Sequence, residues 1–167
     1  MADIKIAYGT ASDATITLAS LASDTNLLAG RESAEIVNTS TLALDYLISG
    51  KITAGTSPAA ARSIEVWAVG SWDGTTWPDV FDGADTGTET ITSADIKAAV
   101  CRLVAAMATA NVSDRTYHFG PVSVATAFGG VVPPKFVIFV VHNTGVNLNS
   151  TSGNHQIRLQ PVYETVT

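Results

Sequence analysis

The histidine and cysteine residues are the side chains best suited to binding a transition metal, and their spacing does not form a metal motif. His118, His142 and His155 lie on or beside three different candidate strands, and the pattern His-Glu-x-x-His is missing. Cys101 is the single cysteine, which excludes an intramolecular disulfide and a multi-cysteine zinc site. We therefore expect no metal and no other cofactor.

Sequence motifs for nucleophilic catalysis and phosphate binding are also missing. The chain has no Gly-x-Ser-x-Gly elbow, and no pair of acidic residues stands in a context that suggests matched acid and base roles. The glycines of Phe128-Gly129-Gly130 lack the Gly-Lys-Ser/Thr ending of a phosphate loop and precede a strand rather than a helix. These observations predict a protein that is not an enzyme.

One acidic stretch, residues 79–89, carries oxygen ligands at spacings that would suit a calcium ion. Its acidic residues are Asp79, Asp82, Asp85 and Glu89. A calcium loop of the EF-hand type also needs ligands at alternate positions, a central glycine and a closing glutamate, and only fragments of that pattern are present. We favour a solvated, turn-rich loop.

Three tryptophans, Trp67, Trp72 and Trp77, are evenly spaced around a turn signal at Asp73-Gly74. Trp67 lies in a predicted strand, whereas Trp72 and Trp77 flank the turn. The two flanking indoles either close a hairpin by packing or face outward as a stacking platform for sugar rings. We favour packing and keep the carbohydrate-binding module as an alternative.

The overall charge argues against two classes of partner. The chain has 167 residues, a formal net charge of −6 and nine basic residues, which are scattered singly. Binding to nucleic acid or to an anionic membrane requires clustered Lys and Arg, so we expect neither partner. Charged residues make up only 14% of the chain, and a surface so poor in charge favours packing against other subunits.

The elements that hold these residues are predicted to be strands. Val, Ile, Thr and Gly recur along the chain, and turn residues interrupt it about every ten positions, which is typical of an all-β sandwich. Alternating polarity marks half-buried strands at 14–20, 42–53 and 156–163, and further candidates are 4–8, 33–38, 62–70 and 115–124. We expect one domain over residues 1–167, with an extended amino-terminal arm over 1–10 as an option.

Three segments depart from this alternation. Phe136 to His142 is apolar on both faces and is predicted to be a central strand. Pro161 suggests that the last strand is a free edge or contains a bulge. Residues 93–108 are predicted to form one short helix that includes Cys101, although Val100 to Met107 would also suit a strand.

The amino terminus lacks a basic region followed by an apolar one, so no secretory signal is visible. The longest apolar run, Phe136 to Val141, is about three times too short for a membrane helix. We expect a soluble protein.

Several segments resemble, in style and order, small structural proteins of tailed bacteriophage particles. They are the strand 64–70, the turn 71–78, the strand entry 133–136, the segment His142-Asn143-Thr144-Gly145 and the closing strand 156–163. In particular, the chain resembles jelly-roll decoration (cement) proteins, which sit on the outer head surface and clamp neighbouring major capsid subunits. Phage neck, tail and baseplate proteins share such sandwiches and remain an alternative.

The resemblance implies a jelly-roll-like antiparallel β-sandwich on the capsid surface of a virion that is assembled in the host cytoplasm. It also implies the major capsid protein as partner and a dimer or trimer as the oligomer. Extended chain ends can attach such a protein by adding a strand to a neighbour. The ends 4–8 and 163–166 are apolar enough for this role, or are ordinary strands of the domain. The predicted capsid or subunit contacts are Ile4, Ile6, Tyr8, Tyr163 and Val166.

Overall fold

The computed structural model describes residues 3–166, and over this range the chain forms eleven strands and three short helices. Met1, Ala2 and Thr167, which belong to the predicted domain 1–167 and in part to the predicted arm 1–10, lie outside the described residues. The helices are α1 (Asn38–Thr41), α2 (Ala94–Val100) and α3 (Val124–Ala127). The strands are β1 (Ile4–Tyr8), β2 (Ser12–Asp13), β3 (Ala29–Glu32), β4 (Ile36–Val37), β5 (Asp45–Thr53), β6 (Arg62–Ser71), β7 (Thr88–Thr90), β8 (Cys101–Thr109), β9 (Thr116–Ser123), β10 (Lys135–His142) and β11 (Gln156–Val166).

The strands form two antiparallel sheets. One has the order β1-β11-β5-β9, with β2 also on β11, and the other has the order β7-β3-β10-β6-β8, with β4 also on β10. The short strands β2 and β4 continue β1 and β3. Apart from β7, the remaining strands pair from the chain ends inward: β1 with β11, β3 with β10, β5 with β9 and β6 with β8. Successive pairs lie alternately in the first and the second sheet. A long double strand rolled into a sandwich has this topology, the jelly roll. The predicted all-β, jelly-roll-like sandwich is confirmed.

The hydrophobic core lies between the two sheets and follows the period of two that the sequence shows. Its largest members come from the middle of four long strands: Tyr46, Ile48 and Ile52 of β5, Ile64 and Val66 of β6, Phe136 and Ile138 of β10, and Ile157 and Leu159 of β11. Alternate residues of a strand point to opposite faces, so one face of each strand supplies the core.

Strand β10 is central and buried on both faces, as its unbroken apolar sequence predicted. It lies between β3 and β6. Phe136 and Ile138 face the main core, while Val137 and Phe139 belong to a second apolar cluster on the other side of the sheet. The second cluster includes Phe81, whose ring meets that of Phe139 edge-on at 5.1 Å, so the loop between β6 and β7 covers this face.

The predicted helix 93–108 is shorter than expected. Helix α2 begins after Ser93, whose Oγ accepts a hydrogen bond from the Ile96 N–H at 3.2 Å, and it ends at Val100. From Cys101 the chain is strand β8, paired with β6. The ladder to β6 is a tertiary interaction that overrides the helical propensity of the alanine-rich sequence. The alternative strand prediction for the second half is therefore the correct one.

Three other strand predictions are wrong in extent. Of the predicted strand 33–38 only Ile36–Val37 is a strand, and Asn38 begins α1. Residues 14–20 form no ladder, because this segment crosses between the sheets: the Ala14 N–H donates to Ile157 O in one sheet, while Thr15 O accepts from Ala34 N–H beside the other. The predicted strand 42–53 starts at Asp45, and Leu42 before it is 73% exposed in a left-handed conformation at the end of α1.

Neither feature predicted from Pro161 belongs to the last strand: β11 is internal, and the bulge opposite it lies in the segment between β1 and β2. β11 lies between β1 and β5, and the register between β1 and β2 shifts by one residue opposite Gln160. Pro161 O accepts a hydrogen bond from the Gly9 N–H at 2.8 Å. Proline has no N–H, so Pro161 cannot donate the second hydrogen bond of this pair to Gly9 O. Gln160 Nε2 reaches Gly9 O instead, at 3.3 Å.

Candidate functional site

The histidines are separate from one another and serve structural roles where they are buried. His142 is buried, with Nδ1 3.0 Å from Thr144 Oγ1 and Nε2 3.0 Å from Leu21 O, and burial lowers its pKa. His155 Nε2 lies 2.8 Å from Asn149 O, and His118 is exposed on β9. Within residues 3–166, no group of three His, Cys, Asp or Glu side chains is arranged to hold a metal ion.

The acidic loop 79–89 distributes its carboxylates to different partners. Asp79 accepts hydrogen bonds from both the N–H and the hydroxyl of Thr92, at 2.9 and 2.6 Å, and Asp82 accepts from Ala84 N–H at 2.9 Å. Asp85 forms an ion pair with Arg31. Each of these carboxylates stabilises the backbone or a cation of the protein itself, which favours the turn-rich loop over a calcium loop.

One buried carboxyl group was not identified from the sequence. Glu32, at the end of β3, is fully buried beneath the acidic loop. Its Oε1 accepts the Asp82 N–H at 3.2 Å, and its Oε2 has no hydrogen-bond partner among the described residues. Burial, which is the largest cause, and the nearby carboxylates of Asp82 and Glu89 together raise the pKa of Glu32 to about 8. Glu32 is therefore protonated at neutral pH.

Burial also makes the thiol of Cys101 unreactive. Cys101 is the first residue of β8 and is buried in the second apolar cluster. Burial raises its pKa to about 12, so the thiolate, which is the reactive form, is scarce at neutral pH. Cys101 therefore packs in the protein interior, as its apolar sequence neighbours predicted.

Two of the three tryptophans meet at an open groove. The tryptophan groove, with a volume of about 420 Å³, is lined by Trp72, Trp77, Asp73, Arg102 and Phe128 together with neighbouring small residues. Trp72 is 60% exposed, and its ring meets Phe128 edge-on at 5.8 Å. Trp77 is half-buried against the second apolar cluster.

Trp67 lies outside this groove and has another role. Its Nε1 donates to Glu65 Oε2 at 3.0 Å, and the Lys97 ammonium lies 4.5 Å from the centre of its ring. Trp67 therefore has a structural role, Trp77 packs in part, and Trp72 leaves most of its indole exposed in the groove.

The turn that separates Trp72 from Trp77 is held by Asp73. Its Oδ1 accepts hydrogen bonds from the N–H groups of Thr75 and Thr76, at 2.8 and 2.6 Å. The side chain of Thr76, followed by these two N–H groups, holds the pKa of Asp73 well below its usual range. Gly74 has a φ of +74°, as the turn signal predicted. The turn opens into a loop rather than a hairpin, and fixes the spacing of the two indoles.

The chain ends meet in a two-stranded structure, which we call the terminal ribbon: β1 with residues 162–166 of β11. Beyond Val162, β11 pairs with β1 alone in the described chain. On one face of this ribbon Ile4, Ile6, Tyr8 and Val166 are 70%, 67%, 63% and 70% exposed. Four of the five predicted contact residues therefore share one exposed apolar face.

Tyr163, the fifth predicted contact residue, lies on the opposite face of the terminal ribbon. It packs partly against the main core. Its ring covers Gly9 so closely that a Cβ added there would lie 2.7 Å from the ring. Side chains alternate along β11, so Tyr163 points to one face of the ribbon and Val162 and Val166 point to the other. Which of the β1 residues share the face of Val166 depends on the register between β1 and β11.

The fold defines the class of protein as a jelly-roll β-sandwich. No protein-family model matches the chain, and no curated protein or solved structure matches it either. Among the described residues, no helix is long and apolar enough to cross a membrane. The terminal ribbon and the tryptophan groove are the two surfaces of the described chain that suit a binding partner.

Proposed function

We propose that the chain is a non-enzymatic structural protein of a tailed-phage virion, a decoration (cement) protein that binds the major capsid protein on the outer head surface. The observation that carries this proposal is the exposed apolar face of the terminal ribbon. Soluble proteins rarely leave contiguous large apolar side chains in water unless the surface binds a partner. The jelly-roll fold is compatible with this role but does not specify it.

The chemistry of the terminal ribbon favours a protein partner. Its exposed face carries Ile4, Ile6, Tyr8 and Val166 with one charged neighbour, Glu164, which pairs across from Ile6. An apolar surface whose one charged side chain is acidic, beside a strand edge without a partner in the described chain, suits burial against another protein and provides nothing to neutralise phosphates. The net charge of −6 points the same way.

The role of a cement protein follows from the number of copies that bind. Fully burying one Ile or Tyr side chain contributes roughly 1.5–3 kcal/mol, so a single ribbon gives a modest affinity. Many symmetry-related copies on one shell add their contributions, and a shell bridged at every contact resists internal pressure. A weak contact per copy is therefore sufficient for a large stabilisation of the particle.

Co-sedimentation of the full chain with purified capsid shells that lack it tests the proposal. Ile4→Ser with Ile6→Ser removes two apolar side chains from the ribbon, and we expect capsid binding to weaken by roughly 2–4 kcal/mol, or about 30- to 1,000-fold. Val131→Ser is the matched control, since Val131 is 65% exposed and lies outside the ribbon. Equal binding by all three proteins, or binding by none of them, would contradict the proposal.

A second candidate function is supported by the tryptophan groove. We infer that, as a tail, neck or baseplate component or as a carbohydrate-binding module, the chain would bind a saccharide there. The indole of Trp72 offers an exposed apolar surface for a pyranose ring, and Arg102 and Thr76 lie in the same groove as hydrogen-bonding groups.

Intrinsic tryptophan fluorescence, titrated with a panel of host-surface glycans, tests this second function. We expect a saturable shift with one glycan class that Trp72→Ala abolishes. Tyr8→Ala is the control, because Tyr8 is an equally exposed aromatic residue outside the groove. A shift that persists in Trp72→Ala, or no shift with any glycan, would rule the groove out as a saccharide site.

A further inference from the structure

Strand β1 is an edge strand whose unpaired hydrogen-bonding groups belong to the same residues that expose their side chains. The Gly9 N–H donates to Pro161 O, and Thr165 Oγ1 donates to Lys5 O, so Gly9 and Lys5 direct their backbones toward β11. Because N–H and C=O groups alternate in direction along an antiparallel strand, Ile4, Ile6 and Tyr8 direct theirs away from β11. Among the described residues no strand pairs with that edge.

We propose that the β1 edge pairs antiparallel with the β1 edge of a second copy of this chain, about a two-fold axis at Ile6. In that register Ile6 lies opposite Ile6 of the partner subunit, and Ile4 lies opposite Tyr8 of the partner subunit. The three residues with outward-facing backbone groups then form six hydrogen bonds, two in each of three facing pairs. The edge is self-complementary.

The charge on β1 selects this register over its neighbour. Lys5 is the one charged residue of the strand, and pairing about Ile6 places it opposite Ala7 of the partner subunit. Pairing about Lys5 would bring two lysines face to face and would leave only four hydrogen bonds, and like charges directly opposite each other are destabilising. Self-pairing also closes at two copies, so it favours the dimer over the trimer.

The two-fold axis joins the apolar faces of the two ribbons. A two-fold axis perpendicular to the sheet keeps Ile4, Ile6 and Tyr8 of both copies on one side, in a four-stranded ribbon. This inference deepens the proposed function, because the dimer would present a doubled apolar face to a capsid, but its test needs no capsid. A contact over one short strand is smaller than the roughly 1,200 Å² of stable interfaces, so we expect dissociation in the micromolar range.

Sedimentation velocity of the full chain over a range of concentrations tests the proposal. We expect a monomer–dimer equilibrium that Ile6→Pro weakens at least about tenfold, because proline removes the central N–H, and two of six hydrogen bonds with it. The Ile6 N–H faces away from β11, so this variant keeps the pairing within the chain, and an unchanged unfolding temperature verifies that. Val131→Pro at another exposed site has no place in the pairing and leaves the dimer unchanged.

Disulfide trapping tests the register itself. The native Cys101 is buried, so a cysteine introduced at the edge is the single accessible thiol. Facing residues of an antiparallel pair are about 5.5 Å apart at Cα, within the range of a disulfide, so Ile6→Cys should cross-link to itself under mild oxidation. Val131→Cys should not cross-link.

A chain that stays monomeric at every concentration overturns the inference, as does a trimer. A dimer that survives Ile6→Pro and resists trapping through Ile6→Cys overturns it too, because another surface then holds the copies together. Capsid binding by a strictly monomeric chain would leave the proposed function standing while the dimer is rejected.

Discussion

Replacing Glu32 by glutamine should make the protein more stable at neutral pH and remove the loss of stability that this carboxyl group causes as the pH rises above 5. Glu32 has a pKa of about 8 in the folded protein, against an ordinary value of 4.5. Between these two values the folded state holds a proton that the unfolded chain releases, so the free energy of unfolding falls as the pH rises. Below pH 4.5 both states are protonated, and the loss is complete above pH 8.

The size of the effect follows from the two pKa values. Each pH unit within this window costs about 1.4 kcal/mol, so about 3 kcal/mol has been lost by pH 7. Glu32→Gln keeps an acceptor for the Asp82 N–H, which lies 3.2 Å from Oε1, and carries no ionisable proton. We therefore expect the variant to gain about 3 kcal/mol over the native protein at pH 7, and little at pH 5.

Urea denaturation at one-unit intervals between pH 5 and pH 8 measures both the slope and the gain. Glu164→Gln is the control, since Glu164 is exposed on the terminal ribbon and should leave the slope unchanged. A slope for Glu32→Gln parallel to that of the native protein would refute the argument that a buried neutral carboxyl controls the stability. A variant less stable than the native protein at pH 8 would refute it as well.

Two further predictions concern buried groups. Burial raises the pKa of Cys101 to about 12, so the folded protein should not react with a thiol reagent at pH 8. In urea the same thiol should react fully. Rapid labelling of the folded chain would contradict this prediction. Lys97 Nζ lies 3.0 Å from Glu65 Oε2 and 2.7 Å from Leu27 O, so Lys97→Met should cost roughly 3 kcal/mol in urea denaturation by leaving a carboxylate unpaired. Adding Glu65→Gln should restore a large part of that loss, and a double variant no more stable than Lys97→Met would count against the pairing.

The sandwich was predictable because burial on one face of each strand imposes a period of two on the sequence. The same argument identified β10, where apolar residues on both faces are required by its central position between β3 and β6. The end of helix α2 was not predictable, because Cys101 to Thr109 has a sequence compatible with a helix and becomes a strand through its ladder to β6. Segment 14–20 alternates in burial without a ladder, since its backbone bonds to both sheets.

The candidate surfaces were partly predictable as well. Apolar residues at both chain ends suggested a contact surface, but the register that separates Tyr163 from Val166 is a property of the paired strands. The sequence placed Trp72 and Trp77 on either side of a turn. That they line one groove together with Phe128, which is distant in sequence, is seen only in the folded chain. Glu32 gave no signal at all, because its burial depends on the loop that closes over it.

The central proposal, that this chain covers the outside of a phage head, is tested most directly by its copy number in phage particles purified from its source. Quantitative mass spectrometry against the major capsid protein gives that number. The account predicts an abundance close to that of the capsid subunits. A few copies per particle would place the chain in the neck or tail and contradict the cement role, and its absence from particles would contradict the virion assignment altogether.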